Sequence, residues 1–183
     1  MRILIAEDES IIRLGLKSML QEMGHEVYAA VNGREALEMA RRHNPDLAIL
    51  DIKMPYTDGL QAAKVLSRTQ PMPILLLTAF SQQDLVKKAA DLPIQSYLVK
   101  PIKSDELAAA ITVANKRFLE MQSLALENER LQEQLEMRKL IDRAKGKLMQ
   151  GGLSEEEAYL AIQRQARSNR QSIREATLAI LEG

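Results

Sequence analysis

The sequence predicts a doubly wound α/β fold with a five-stranded parallel sheet, followed by a long helix and a small all-α domain. Across the first 110 residues or so, short apolar runs alternate with amphipathic helical patterns, which is typical of a parallel sheet with helices on both faces. Beyond Pro101 the pattern changes, because neither glycine nor proline occurs from Ile102 to Lys145. The chain therefore divides into an α/β part and a helical part.

The α/β part is predicted to contain five strands and four helices in alternation. Gly24 follows the first helix, Gly33 precedes the second, and Pro45, Pro71 and Pro73 precede strands, where such residues interrupt regular structure. The predicted strands lie near residues 2–7, 26–30, 46–51, 73–78 and 95–99, and the predicted helices near 10–23, 33–43, 58–69 and 82–91.

Four of these strands end in polar or charged residues. Glu7 and Asp8 follow the first strand, Asp51 the third, Thr78 the fourth and Lys100 the fifth. Ligands of open α/β sheets bind outside the carboxyl ends of the strands, and carboxylate oxygens suit Mg²⁺ together with phosphate oxygens. Taken singly, an acid at a strand end often caps a helix and a lysine before proline is usually solvated. As a set, the five residues predict a site for Mg²⁺ and a phosphoryl group.

Asp51 has two predicted roles at that site. It is a candidate metal ligand, and it is also a candidate nucleophile, because aspartyl phosphates are a known type of covalent intermediate. Lys100 is then expected to pair with one phosphoryl oxygen as a point charge. Thr78 is expected to hydrogen-bond another.

The helical part begins with a single long helix. Ser104 is predicted as its N-cap, with Asp105 and Glu106 as an acidic first turn, and the helix is expected to reach about Met149, roughly 45 residues or about 70 Å. Within it, five residues have the 3-4 spacing of a coiled-coil seam. The seam residues are Met121, Leu124, Asn128, Leu131 and Leu135.

Two interpretations of this seam remain open. Arg117 and Arg138 occupy the next seam positions, so only about two heptads are convincing. One interpretation is a helix packed on its own domain. The favoured one is a short parallel dimer in which Asn128, at an a position, fixes the register.

Two further helices are predicted after the Gly151-Gly152 break. Ser154 with Glu157, and Ser172 with Glu175, have the spacing of capping boxes. The expected helices cover about 155–167 and 173–182. The expected domains are residues 1–115 for the α/β part, 116–137 for a coiled-coil linker and 138–183 for a three-helix domain.

Composition restricts the class of protein. Hydrophobic residues make up 46% of the chain, ample for a core, and the absence of cysteine excludes disulfides and thiolate metal sites. No apolar run approaches the roughly 18 to 20 residues of a membrane span, and the first predicted strand leaves no room for a signal peptide. A soluble cytoplasmic protein that does not engage a membrane is expected.

Charge is distributed unevenly along the chain. The formal net charge is zero overall, but it is −1 for residues 1–115, −2 for 116–137 and +3 for 138–183. Basic residues of a compact helical domain suit nucleic-acid phosphates, although a charged helix face is also common as a merely solvated surface. The basic residues in question are Arg143, Lys145, Lys147, Arg164, Arg167, Arg170 and Arg174.

The α/β part resembles a response-regulator receiver domain. The resemblance rests on Ala6-Glu7-Asp8-Glu9, on Leu50-Asp51-Ile52-Lys53-Met54-Pro55 with Asp58-Gly59, on Leu77-Thr78-Ala79 and on Lys100-Pro101. It covers roughly residues 1–115 and implies a flavodoxin-like fold. Glu7 departs from the commoner aspartate without a change of charge.

The receiver resemblance implies a role for each residue of the site. Asp51 would accept a phosphoryl group from a histidine kinase, and Mg²⁺ would be held by Asp8, Asp51 and the backbone carbonyl of Lys53, with Glu7 acting through water. The family also has a cis Lys-Pro peptide bond, here Lys100-Pro101. On phosphorylation, Thr78 would move toward the phosphoryl group and Tyr97 would turn inward. No catalysis beyond this phosphoryl chemistry is expected.

Residues 136–183 resemble the ANTAR domain of transcription antitermination regulators. The matching segments run from Leu140 to Met149 and from Gly152 to Tyr159, and include Arg164-Gln165-Ala166 and Asn169-Arg170. Arg167 and Glu175 depart from the methionine and aliphatic residue that are usual there. The family binds paired RNA hairpins and prevents terminator formation.

The basic residues named above are therefore expected to contact RNA phosphates. The seam on the long helix predicts a homodimer that forms on phosphorylation. Tyr159 is expected either to stack on an unpaired base or to belong to the core. Two other functions remain open: a DNA-binding response regulator, and a phosphorelay or protein-interaction adaptor. Against DNA binding, the short last helix offers no obvious recognition helix.

Overall fold

The computed structural model describes residues 1–79 and 94–182. The helix predicted near residues 82–91 lies outside the described residues. The chain forms two compact units, Met1–Met121 and Gln122–Gly183.

The first unit is built on a five-stranded parallel sheet. Its strand order is β2-β1-β3-β4-β5, and each neighbouring pair is parallel. The predicted doubly wound fold is confirmed. The bounds of the five strands, and of the three helices between them that the structure describes, agree with the prediction to within one residue at each end. The strands are β1 (Arg2–Ala6), β2 (Glu26–Ala30), β3 (Leu47–Asp51), β4 (Ile74–Thr78) and β5 (Ser96–Val99), and the helices between them are α1 (Ser10–Glu22), α2 (Gly33–His43) and α3 (Gly59–Thr69).

Apart from Arg2, Asp51 and Thr78 at their ends, the central strands β1, β3 and β4 are apolar, because both of their faces are covered. Alternate side chains of a strand point to opposite faces. Leu4 and Leu50 therefore belong to the core cluster that includes residues of α2 and α3. Ile5 and Ile49 belong to the cluster that includes residues of α1 and of the helix that follows β5.

The strand order reverses between β1 and β3. These two strands are neighbours in the sheet although α1, β2 and α2 separate them in sequence. Their register pairs Ala6 with Leu50, so the residues that follow, Glu7 and Asp51, leave the sheet side by side. Ligands of open α/β sheets bind at such a reversal, which makes this edge the place to look for a site.

The helix after β5, α4 (Ser104–Gln150), has 47 residues. The Leu107 amide donates to the Lys103 carbonyl at 2.9 Å, so Lys103 precedes the first helical residue. The predicted N-cap at Ser104 is therefore one residue too late, and Ser104 belongs to the acidic first turn with Asp105 and Glu106.

Two shorter helices complete the second unit, α5 (Glu155–Asn169) and α6 (Ile173–Glu182). Both predicted capping boxes are present, because the Ser154 and Ser172 amides donate to Glu157 and Glu175 at 2.9 and 2.7 Å. Glu175, which departs from its family's usual aliphatic residue, is thus the acid that closes the second box.

Small residues dominate the core of the second unit. Ile162 is its only large apolar residue below one-tenth exposure among the described residues, and small side chains allow helix axes to approach closely. The fully buried small residues are Ala144, Ala158, Ala176 and Thr177.

Among the helices of the described residues, none combines the length and the apolar character that a membrane span requires.

Candidate functional site

Three carboxylates meet at the carboxyl ends of β1 and β3. An oxygen of Glu7, one of Asp8 and one of Asp51 all lie within 4.8 Å of one another. Glu7 is completely buried and Asp51 is 4% exposed, whereas Asp8 is exposed. Two acids of the cluster are therefore buried and the third faces solvent, so a ligand can reach the cluster from the side of Asp8.

Lys100 connects two of the three acids. Its Nζ lies 2.6 Å from Glu7 Oε2 and 3.1 Å from Asp51 Oδ2. The side chain comes from the end of β5, and the Lys100-Pro101 peptide bond is cis, as the receiver resemblance implies. The structure thus places Lys100 beside Asp51, although its shorter ion pair is with Glu7.

Burial dominates the electrostatics of the cluster. It raises the pKa of Glu7 and of Asp51, against the opposing effect of Lys100. Burial acts to lower the pKa of Lys100, but the hydrogen bond to Glu7 and the charge of Asp51 outweigh it, and that pKa is raised. When all four groups are ionised, three carboxylates and one ammonium leave two net negative charges. This donor set fits a divalent cation such as Mg²⁺, which prefers carboxylate oxygens.

Two glycines pack closely against the end of β3 and the loop that follows Asp51. A Cβ on Gly59 would stand 2.0 Å from the Asp51 carbonyl oxygen, and one on Gly33 would stand 2.5 Å from that of Thr57. The Gly59 amide also donates to the Ile52 carbonyl at 3.0 Å. The start of α3 therefore rests directly on the backbone of Asp51, which only glycine permits.

Arg13 is a residue of the site that sequence reasoning missed. One guanidinium nitrogen donates to the carbonyl of Glu7 at 2.7 Å and to that of Asp8 at 3.1 Å. The contact fixes the backbone that presents both acids. Its only sequence signal was the position of Arg13 in the first turn of α1, just after the acidic pair.

Thr78 and Tyr97, the predicted switch residues, lie on neighbouring strands at the β4–β5 side of the sheet. Thr78 is 4% exposed, and its hydroxyl donates to the Ala79 carbonyl at 3.0 Å. Tyr97 is partly buried and packs on the core cluster that includes residues of α2 and α3. Both positions are compatible with the movements that the receiver resemblance implies, which remain a prediction.

Lys53 lies in the loop after β3. It lines a surface cleft together with Asp8, Met54, Pro55 and Asp58, so it shares an opening with the exposed acid of the cluster. Tyr56 in this loop has a φ of 68° and is 90% exposed. The carbonyl of Lys53 as a metal ligand remains a prediction.

The predicted RNA-binding residues divide into two groups in the structure. Lys145 Nζ contacts Glu155 at 2.7 Å and Asp142 at 3.2 Å, and Lys147 Nζ donates to the Leu181 carbonyl at 3.2 Å. These two lysines therefore connect α4 to α5 and α6. The arginines of the predicted set are exposed, and Tyr159 is 42% exposed. They are Arg143, Arg164, Arg167, Arg170 and Arg174.

The seam on α4 is uncovered in the single chain. Met121, Leu124, Leu131 and Leu135 are 50–64% exposed, and every residue from 119 to 136 is exposed. The stripe of large apolar side chains from Met121 to Leu135 is thus exposed to water over about four turns of the helix. Packing against a second helix would remove this apolar surface from water.

Family models match both the α/β part and the helical part of the chain. The response regulator receiver domain model matches residues 3–112, and the ANTAR domain model matches residues 129–181. The chain is a response regulator with a receiver domain and an ANTAR domain. The predicted family is confirmed. The domain limits at residues 115 and 137 stay predictions, and the ANTAR match begins before the second of them.

Similar proteins include whole regulators and isolated receivers. The transcriptional regulatory protein PdtaR of Mycobacterium tuberculosis is 45% identical over 183 residues, which cover 99% of this chain and 89% of PdtaR. The chemotaxis protein CheY of Bacillus subtilis is 37% identical over 112 residues, or 60% of this chain and 93% of CheY. A receiver-domain crystal structure from Clostridium thermocellum has a TM-score of 0.60 and 30% identity, and covers 63% of this chain and 94% of that one.

The metal assignment leads to a prediction about two of the acids. Asp8→Asn is expected to weaken Mg²⁺ binding by about tenfold or more. Glu7→Gln is expected to weaken it by less, because Asp8 is the predicted direct ligand and Glu7 is predicted to act through water. Mg²⁺ titration followed by calorimetry measures both, with the exposed Glu38→Gln as the control. Equal Mg²⁺ affinity in the wild type and both variants would contradict the assignment.

Proposed function

We propose that this response regulator accepts a phosphoryl group on Asp51 from a histidine kinase and that its ANTAR domain binds RNA hairpins to promote transcription antitermination. The observation that carries the first half is the Glu7-Asp8-Asp51 cluster with Lys100 beside it. The second half is supported by the ANTAR match and the basic charge of the last segment.

Asp51 is proposed as the nucleophile. One of its carboxylate oxygens attacks phosphorus, a P–O bond forms, and the P–N bond of the kinase phosphohistidine breaks, with its electron pair passing to the imidazole nitrogen. Lys100, already 3.1 Å from Asp51 Oδ2, is placed to pair with a phosphoryl oxygen as negative charge accumulates there. Its ammonium group has three N–H donors, so a bond to the phosphoryl oxygen does not require loss of the contacts with Glu7 and Asp51.

Asp8, Asp51 and the Lys53 carbonyl would hold Mg²⁺ at this site, with Glu7 acting through water. Bound there, the ion would supply charge neutralisation for the phosphoryl oxygens. Arg13 supports the same acids through their backbone carbonyls, and Gly59 keeps the Asp51 backbone against the start of α3.

The output is proposed to be RNA binding by a dimer. The exposed α4 seam from Met121 to Leu135 supports a short parallel coiled coil with Asn128 at an a position. A dimer would present two ANTAR domains, a number that suits paired hairpins. PdtaR, which is named a transcriptional regulatory protein, supports a role in gene expression for this chain as well.

One salt titration tests the choice of nucleic acid. A hairpin is first selected on the full wild-type chain from an RNA pool with randomised loops, and its affinity is compared with that of duplex DNA of the same stem sequence. We expect tight, salt-dependent binding of the hairpin and at least tenfold weaker binding of the duplex. Preference for duplex DNA would indicate a DNA-binding regulator, and no salt-dependent binding of either would indicate a protein-interaction adaptor.

A further inference from the structure

A groove in the second unit contains three arginines. One side is a face of α4 that carries Arg130 and Arg138, and the other is the first turn of α6, which carries Arg174. Between them lie Met137 and Ile141, both half-buried. The groove therefore combines an apolar surface with three cationic side chains.

Within the described part of the chain, the three arginines have no anionic partner. Across residues 1–79 and 94–182, none of them forms an ion pair or a side-chain hydrogen bond. Glu133 is the one acid that lines the groove, so the groove has a net charge of +2. In contrast, Lys145 and Lys147 are engaged by groups of their own unit.

Three cationic side chains that line one groove favour the binding of an anion, because its attraction to them offsets their mutual repulsion. Guanidinium groups match phosphate in shape and bind it through paired hydrogen bonds. From Arg130 to Arg138 the helix rises about 12 Å, a length over which a nucleic-acid strand presents several phosphates. Met137 and Ile141 add an apolar surface that suits the face of a sugar or an unpaired base.

We propose that this arginine groove binds the phosphodiester backbone of RNA. The proposal rests on the RNA-binding function proposed above and places the contact on a specific face. All of the lining residues fall within the ANTAR match. Of the three groove arginines, only Arg174 was among the RNA contacts predicted from the sequence. Phosphate binding also gives a role to Arg138, a residue at a seam position where an apolar side chain would favour a coiled coil.

The test uses the full chain and the hairpin selected on the wild type. One variant carries Arg130→Gln, Arg138→Gln and Arg174→Gln. A control removes three exposed arginines from the receiver, through Arg41→Gln, Arg42→Gln and Arg68→Gln. A third variant probes the competing face formed by α5 and the residue that caps its C-terminus, through Arg164→Gln, Arg167→Gln and Arg170→Gln.

We expect the groove variant to lose at least tenfold in affinity and to lower the slope of log Kd against log salt by about two to three, one for each lost phosphate contact. The receiver control is expected to stay within twofold of the wild type. Circular dichroism checks the fold, and the single variants Arg130→Gln and Arg174→Gln, each expected to lower the slope by about one, replace the triple if it fails to fold.

Groove variants that bind the hairpin within twofold of the wild type, with an unchanged slope, would overturn the proposal. Loss of binding only in the α5 variant would overturn it as well, since the RNA would then lie along α5. In both cases the wild type still binds RNA, so the proposed function stands. Failure to select any hairpin on the wild type is the separate result that removes the function itself.

Discussion

Asp51→Asn is expected to abolish phosphorylation of the chain by a small acyl-phosphate donor in the presence of Mg²⁺. Asparagine keeps the shape of the side chain, which is 4% exposed at the end of β3, but it removes the carboxylate nucleophile. A neutral amide oxygen also lacks the charge that pairs with Lys100 at 3.1 Å. Because covalent labelling requires the nucleophile itself, the loss should be complete rather than partial.

Hydroxylamine-sensitive labelling with a radioactive donor measures this directly. Acyl phosphates are cleaved by hydroxylamine, whereas phosphate esters of serine or threonine are not, so the assay distinguishes the two kinds of product. Asp105→Asn, at an exposed acid in the first turn of α4, is the matched control and should label like the wild type. Undiminished labelling of Asp51→Asn would move the acceptor elsewhere, with Asp8 the first alternative.

Much of the receiver site was predictable because its residues follow buried parallel strands. Such strands are apolar on both faces, so their ends are visible in sequence as the point where Glu7, Asp51 and Thr78 interrupt an apolar run. All parallel strands end at the same edge of the sheet. The alternation of strands and helices was therefore enough to predict that these residues lie close together.

The contacts within the site were not predictable in the same way. Whether Lys100 lies nearer Glu7 or Asp51 depends on a few tenths of an ångström in side-chain placement, and its shorter contact is with Glu7. The bonds from Arg13 go to backbone carbonyls, which carry no sequence signal. The requirement for glycine at position 59 comes from the approach of α3 to the Asp51 backbone.

In the second unit, the sequence shows which residues are basic, but it does not show which of them pair within the unit and which share an exposed surface. Lys145 and Lys147 count as basic residues like any other, yet the structure engages both within the unit. Arg130 was assigned to the linker, and it lines the same groove as Arg174, 44 positions later. Only the packing of α6 against α4 reveals which arginines share a surface.

Phosphorylation of Asp51 is expected to raise both the dimer population and the affinity for an RNA with two hairpins, with much less effect on a single hairpin. The α4 seam is short and ends at arginines, so it is a poor constitutive dimeriser. We propose that a phosphorylation-induced change at Thr78 and Tyr97 favours self-association, which the seam then extends. Two ANTAR domains held together raise the effective concentration for the second hairpin, and affinity rises by about 10² or more without a new contact.

Leu124→Glu and Leu126→Glu make a matched pair for this prediction. Both leucines are exposed, at 64% and 67%, and both precede the ANTAR match, but only Leu124 belongs to the seam. Leu124→Glu should abolish the phosphorylation-dependent dimer in sedimentation and the advantage of the two-hairpin RNA, and should leave single-hairpin affinity unchanged. Leu126→Glu should behave like the wild type. An unphosphorylated wild type that is already a tight dimer with full RNA affinity would refute the switch, and control would then have to act by masking the basic surface.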